Sequence, residues 1–255
     1  VTAIGISPNG RNINDKCGAT APQALQERVV QDGADIGLAL DGDADRLIVV
    51  DETGEVVDGD QIMAALAGTY QDSGALSRDS VVATVMSNLG LERYLKARGL
   101  KLERTPVGDR HVMDAMRSGG HNLGGEQSGH MILSDYSTTG DGMLTALQIL
   151  NLVQQSGGPA SQALNCFDPV PQRLTNVWLE HRDPSVLARD DVKALIRECE
   201  ADLEGRGRLL IRASGTEPLI RIMGESDDAD LLEDRLSGLA RALEACIPHQ
   251  RSVNA

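Results

Sequence analysis

Aromatic residues are nearly missing from this sequence: Trp178, Phe167, Tyr70, Tyr94 and Tyr136 are the whole complement of 255 residues. Five scattered rings cannot build a stacking platform for single-stranded nucleic acid or an aromatic cage for a cation, so the core has to be aliphatic. Positive charge is also in deficit. With 24 Lys and Arg against 38 Asp and Glu, the net charge of −14 removes the basic footprint that nucleic acid or an anionic membrane would require. Any phosphate ligand must therefore be held locally. The four cysteines, Cys17, Cys166, Cys199 and Cys246, form no CxxC pair and have no histidine at zinc-finger spacing, so they read as buried thiols of a reducing compartment. No apolar run approaches the ~18 to 20 residues that span a bilayer, and no charged leader precedes a hydrophobic segment. A cytoplasmic protein with no membrane partner is the expectation. Neither a GxxxxGK[ST] nor a GxGxxG motif occurs, which leaves nucleotide binding without support.

What is present is a chain long enough to bury roughly three quarters of the surface its unfolded form exposes, in about two domains. The apolar run Val1–Ile6 reads as strand-like where termini are usually polar, and implies a sequence that opens inside a domain. Ala24, Leu25, Val29 and Val30 fall at helical spacing before Gly33, predicting a helix over 21–33. Strands follow at 36–40 and 47–50, joined by a polar loop and closed by a turn at Thr53-Gly54. The alternation then continues: helix 60–70, strand 81–86, helix 91–98, strand 100–107, helix 110–117 and, after a loop, helix 141–154. Such alternation implies α/β architecture with βαβ units and a largely parallel sheet, whose ligands sit beyond the carboxyl ends of the strands. Gln155-Ser-Gly-Gly-Pro159 looks like a linker or hinge. Beyond it the order strand 173–179, helix 186–203, strands 208–212 and 219–223, helix 229–246 suggests a small α+β module.

Three loops carry chemistry. Asp41-Gly-Asp-Ala-Asp-Arg46 places carboxylates at i, i+2 and i+4 of a sharp turn, a set of hard oxygen donors that suits Mg²⁺ and would repel one another without a cation. An EF-hand shares the aspartates and Glu52 but needs glycine where Arg46 stands. An Asp-based phosphatase would use Asp41 as nucleophile but expects Thr or Val where Asp45 stands; a solvated acidic turn is the remaining reading. Gly124-Gly-Glu-Gln-Ser-Gly-His130, if extended, points Glu126, Ser128 and His130 to one side as a comb for sugar hydroxyls; a glycine-rich turn is the equal alternative. Arg212-Ala-Ser-Gly-Thr-Glu-Pro218, with Arg221 beyond, offers backbone N–H groups, the hydroxyls of Ser214 and Thr216, and guanidinium forks to a phosphate, against a plain hairpin turn. Weaker signals lie at Pro106-Val-Gly-Asp-Arg110, where Asp109 fits an N-cap and Arg110 or His111 could reach a phosphate, and at Thr138-Thr-Gly-Asp141, the start of a helix. His121 has no visible partner.

DGDADR, GEQSGH and RASGTEP, in that order, resemble the metal-, sugar- and phosphate-binding loops of the α-D-phosphohexomutases. Asn12-Ile-Asn14 with Cys17-Gly-Ala-Thr20, Pro106-Val-Gly-Asp-Arg110 and Thr139-Gly-Asp-Gly142 are most like the bacterial phosphoglucosamine mutases. The resemblance covers essentially the whole chain and implies three segments. Residues 1–56 would be the C-terminal part of the family's second domain, 57–158 the third and 159–255 the fourth: two βαβ-type mixed-sheet domains, the first incomplete, and a small α+β domain. It further implies Mg²⁺ on Asp41, Asp43 and Asp45, Arg46 beside the transferring phosphate, and Glu126 and Ser128 on sugar hydroxyls with His130 supporting them. Arg212, Ser214, Gly215, Thr216 and Arg221 would hold the non-reacting phosphate. The implied reaction interconverts glucosamine 6-phosphate and glucosamine 1-phosphate through a phosphoserine and a bisphosphate intermediate. Phosphoglucomutase or phosphomannomutase activity, or non-catalytic phosphosugar binding, are the alternatives. No serine here matches the family's nucleophile motif, so the resemblance also implies an N-terminal domain as partner, no turnover by these residues alone, and a homodimer as one form of the intact protein.

Overall fold

The computed structural model describes residues 1–246 other than 182 and 216. They divide into two compact units, 1–168 and 169 onward. In unit 1, helix α1 (Gln23–Asp32) precedes strands β1 (Ile36–Leu40), β2 (Leu47–Asp51) and β3 (Val56–Val57), which form an antiparallel three-stranded sheet in chain order. Antiparallel pairing is the correction to the parallel sheet expected here. Six residues join β1 to β2, whereas a parallel neighbour needs a crossover of a dozen or more. The turn at Thr53-Gly54 is held by Asp51, whose Oδ1 accepts from Thr53 N, Thr53 Oγ1 and Glu55 N. The strand expected at Val1–Ile6 does not form. Residues 1–20 lie outside helix and strand, and no strand pairs with them among the described residues.

The parallel arrangement does occur further on. Helix α2 (Gly59–Asp72) leads to β4 (Ser80–Thr84), α3 (Leu89–Ala97), β5 (Lys101–Thr105), α4 (Asp109–Gly119), β6 (Leu123–Gly125) and β7 (Met131–Leu133). The sheet order is β5-β4-β6-β7, with β4 parallel to both β5 and β6, and β7 antiparallel at the edge. This mixed sheet, flanked by helices, fits the α/β class. Helix α2 is buried nearly all round, as expected of a helix apolar on every face, and Ile62, Met63 and Leu66 join Val81, Leu91, Leu95 and Leu123 in one aliphatic core. His121 has partners after all: Ser80 Oγ at 2.8 Å and Glu103 Oε2 at 3.0 Å, beside the first residue of β4 and so away from the ligand-bearing strand ends.

Helices α5 (Gly142–Ser156) and α6 (Ala160–Leu164) complete unit 1. The hinge and boundary expected at 157–159 fall inside this unit. Gly157 caps α5, Ala160 and Leu164 belong to the same core as α2, and Gln61 fixes the segment beyond through bonds to Cys166 N and Phe167 O. A glycine pair between helices marks a tight turn as readily as a linker.

Unit 2 has β8 (Gln172–Trp178), α7 (Asp190–Leu203), β9 (Gly207–Ala213), β10 (Leu219–Ser226) and α8 (Ala229–Cys246). Its sheet is antiparallel in the order β8-β10-β9, and Val177, Ile220, Ile222, Leu232, Leu236 and Leu239 form a core separate from that of unit 1. The helix expected over 186–203 begins at Asp190, after a 3₁₀ turn at Pro184–Ala188. All four cysteines are free, and only Cys199 is fully buried; the others are half-buried. No described helix is long and apolar enough to cross a membrane.

Candidate phosphosugar and metal site

The carboxylate loop is built by the β1–β2 hairpin. Ala44 takes a left-handed φ of 62°, uncommon for a residue with a side chain, and its N–H donates to Asp41 O at 3.2 Å. The loop thereby curls until carboxylate oxygens of Asp41, Asp43 and Asp45 lie within 4.8 Å of one another. Asp41 Oδ1 accepts from Arg46 N at 3.1 Å, and the Arg46 guanidinium stands at 3.7 Å from Asp41 and 4.0 Å from Asp45. Asp45 Oδ1 is buried with no hydrogen-bond partner. Three hard oxygen donors around a point, one of them unsatisfied, fit a divalent cation that prefers carboxylate ligands.

The second loop comes to the first. Leu47 N donates to Gly129 O at 3.0 Å, Arg46 and His130 form an isolated bridge, and His130 Nδ1 lies 2.9 Å from Asp45 Oδ2. His130 is 3% exposed, and its ring packs on Gly140, where a Cβ would overlap the imidazole. Gly142 N donates to Ala44 O at 2.9 Å, and a Cβ on Gly142 would come within 2.6 Å of Arg46 O. The Thr139-Gly-Asp-Gly142 segment is thus the floor of both loops, a role that the sequence reading missed. Its spaced glycines were the available signal for close backbone approach.

The expected comb is not extended. Residues 126–129 make the turn between β6 and β7, closed by Gly129 N to Glu126 O at 3.0 Å and Glu126 N to His130 O at 2.9 Å. A turn breaks the alternation that would have aligned three side chains. Glu126 Oε1 instead accepts from Gly108 N at 3.0 Å, Ser128 is exposed, and His130 turns to Asp45. The Gly108 contact brings the Pro106–Arg110 junction to the same edge, at the carboxyl ends of β5 and β6. Gly108, not Asp109, is the N-cap of α4; Asp109 is its first helical residue. A surface cavity of about 350 Å³ beside it is lined by Asp109, Arg110, Arg117, His130, Thr138 and Gly140, among others. His111 is exposed and outside that lining.

In unit 2 the third loop connects β9 to β10. Arg212 and Arg221 stand opposite each other in the register. Ser214 N donates to Leu219 O at 2.8 Å, and Ser214 Oγ accepts from Glu217 N at 3.2 Å. Arg221 Nη2 pairs with Glu217 Oε2 at 2.7 Å, while its Nε is buried without a hydrogen-bond partner. Nothing within 4 Å would meet a Cβ on Gly215, so its backbone is open to a ligand. Thr216 lies outside the described residues.

Comparison with known proteins places three profiles of one family along the chain. Residues 8–54, 58–170 and 174–242 match the family profiles phosphoglucomutase/phosphomannomutase alpha/beta/alpha domain II, alpha/beta/alpha domain III and C-terminal domain, respectively. The phosphoglucosamine mutase of Sphingopyxis alaskensis is 60% identical over 247 residues, which are 97% of this chain and 55% of that protein. That of Bradyrhizobium diazoefficiens is 58% identical over 243 residues, 95% and 54% of the two chains. The chain spans about half the length of these relatives. Among solved structures, Aspergillus fumigatus N-acetylphosphoglucosamine mutase in complex with GlcNAc-6P and magnesium superposes with a TM-score of 0.73 at 22% identity, over 90% of this chain and 57% of that one. A phosphoglucomutase/phosphomannomutase family protein from Burkholderia thailandensis gives 0.71 at 22%, over 89% and 50%.

Proposed function

The chain belongs to the phosphoglucomutase/phosphomannomutase family, and from that premise we propose that it carries the metal, sugar and phosphate loops of a mutase interconverting glucosamine 6-phosphate and glucosamine 1-phosphate. The observation that carries the reading is the His130–Asp45 contact at 2.9 Å, which joins a cation-holding loop to a hydroxyl-binding turn. The relatives named phosphoglucosamine mutase support the amino sugar over a neutral hexose.

In this reading Asp41, Asp43 and Asp45 hold Mg²⁺, which when bound neutralises charge on the transferring phosphoryl group. Arg46 adds a fixed positive charge beside it. Glu126 Oε1 is held by Gly108 N, leaving Oε2 to accept a sugar hydroxyl, and exposed Ser128 donates or accepts from the same turn. His130 orients Asp45. Arg212, Ser214, Gly215, Thr216 and Arg221 bind the phosphate that is not being transferred, so the sugar can turn over between the two half-reactions. In this reading the phosphoryl group comes from and returns to a phosphoserine, and no serine of these 255 residues matches the family's nucleophile motif.

The full-length protein is expected to turn over glucosamine 6-phosphate in preference to glucose or mannose phosphates. Asp43→Asn should lower kcat by on the order of 100-fold or more, as for loss of one preorganised charge-stabilising group, and abolish the response to Mg²⁺. Preference for a neutral sugar would overturn the substrate assignment; unchanged Mg²⁺ dependence in the variant would overturn the metal assignment.

A further inference from the structure

The β8-β10-β9 sheet exposes a side chain that the three loops leave unexplained. Val177, Ile220, Ile222 and Ile211 pack into the core of unit 2 with residues of α7 and α8. Alternation therefore turns Trp178 of β8, Leu219 and Arg221 of β10, and Arg212 of β9 to the opposite face. The register sorts them into rows. Trp178 stands opposite Leu219, and Leu219 is bonded in turn to Ser214; the next row is Asn176, Arg221 and Arg212. Leu179 N donates to Pro218 O at 2.7 Å, tying the end of β8 to the loop that follows Ser214.

Trp178 is the single tryptophan of the chain and is 62% exposed. Leu219 beside it is 2% exposed. The face thus has guanidinium groups and a backbone loop suited to an anion on β9 and β10, and an open aromatic ring on β8. From β9 to β8 is two strand spacings, roughly 10 Å, comparable with the reach of a hexose phosphate from phosphorus across the ring. An indole offers an apolar surface to the C–H face of a sugar, and a protonated amino substituent near it gains cation–π attraction.

We propose that Trp178 is a sugar-contacting residue: the phosphate sits on Arg212, Ser214, Gly215 and Arg221 while the hexosamine ring reaches across to the exposed indole. This rests on the phosphosugar reading of that loop and extends it to a residue outside the motif. A tryptophan that merely covers Leu219 would contribute to stability through their cross-strand packing. A sugar contact in addition makes it respond to the sugar phosphate and not to phosphate alone.

Because Trp178 is alone, the emission of the 255-residue chain reports on it directly. Titration with glucosamine 6-phosphate is expected to change that emission saturably, whereas inorganic phosphate at matched calorimetric occupancy leaves it unchanged. Trp178→Ala should weaken glucosamine 6-phosphate roughly tenfold, in the range of one aromatic contact, without altering phosphate affinity, and Trp178→Phe should restore most of the loss. Calorimetric binding of the sugar phosphate with silent emission and an unaltered constant in Trp178→Ala would overturn the proposal. Should that variant not fold, silent emission on binding and full affinity loss in Trp178→Phe would overturn it equally. Failure of Arg212→Ala to weaken either ligand would instead overturn the phosphate reading of the loop.

Discussion

Asp60 shows how far a single residue's chemistry depends on where the chain puts it. It is 1% exposed in the first turn of α2, and its Oδ2 accepts from Asn88 N at 2.7 Å. Burial, and then the charge of Asp58, push its carboxyl up to about 7 from an ordinary 3.8, against the pull of its hydrogen bonds. Asp58 is raised in the same direction by burial. Between those pH values the folded state holds a proton that the unfolded chain has released, so this group's contribution to stability falls as pH rises from about 4 through about 7. Asp60→Asn is therefore expected to raise the urea midpoint at pH 8 relative to the parent and to change it little at pH 4. Equal midpoints at pH 8 would contradict the assignment. Asp58-Gly-Asp60 and Asp41-Gly-Asp43 are the same tripeptide, yet only the latter continues to a third carboxylate at Asp45; the first caps a buried helix and the second gathers oxygen donors.

Among the elements, α5 links helix formation to the site. Asp141 caps it through Oδ1 to Leu144 N at 2.9 Å, and the next residue, Gly142, holds Ala44 O. Replacing Asp141 by Ala should cost about 1 kcal/mol, the usual value of an N-cap, measurable as a lower denaturant midpoint with an unchanged slope. The position of α5 was legible because its apolar residues repeat at helical spacing over four turns. Helix α2 and the strands β1, β2, β9 and β10 were legible instead as apolar runs bounded by turn residues. Strands β3, β6 and β7, of two or three residues each, are too short for any period to show. Without β6 and β7 in view, residues 126–129 could be read as an extended comb when they are a hairpin turn.

At the scale of the molecule, the largest cluster of unit 1 and the cluster of unit 2 imply two separately perturbed stabilities. Leu66 is buried in the core of unit 1 and Leu236 in that of unit 2. Each Leu→Ala change should cost about 2–5 kcal/mol, with Leu66→Ala lowering one calorimetric transition and Leu236→Ala another. A single transition shifted equally by both would show the cores to be one cooperative unit. The division lies at 168/169 rather than at the glycine pair near 158. A linker was inferred there from composition, whereas what ends a compact unit is where its buried contacts stop, and Gln61 carries those contacts out to Phe167.

Residue types suited to metal, sugar and phosphate ligands can be read from sequence, since carboxylates at alternate positions, a glycine-flanked Glu and Ser, and an Arg-bounded turn have chemistry that is local. Their assembly cannot. His130 meets Asp45 across 85 residues, Glu126 is held by Gly108, and the glycines of 139–142 admit both loops. Each of these contacts depends on strands β1, β2, β5 and β6 delivering their loop ends to one edge of unit 1, and no local stretch of sequence encodes that convergence.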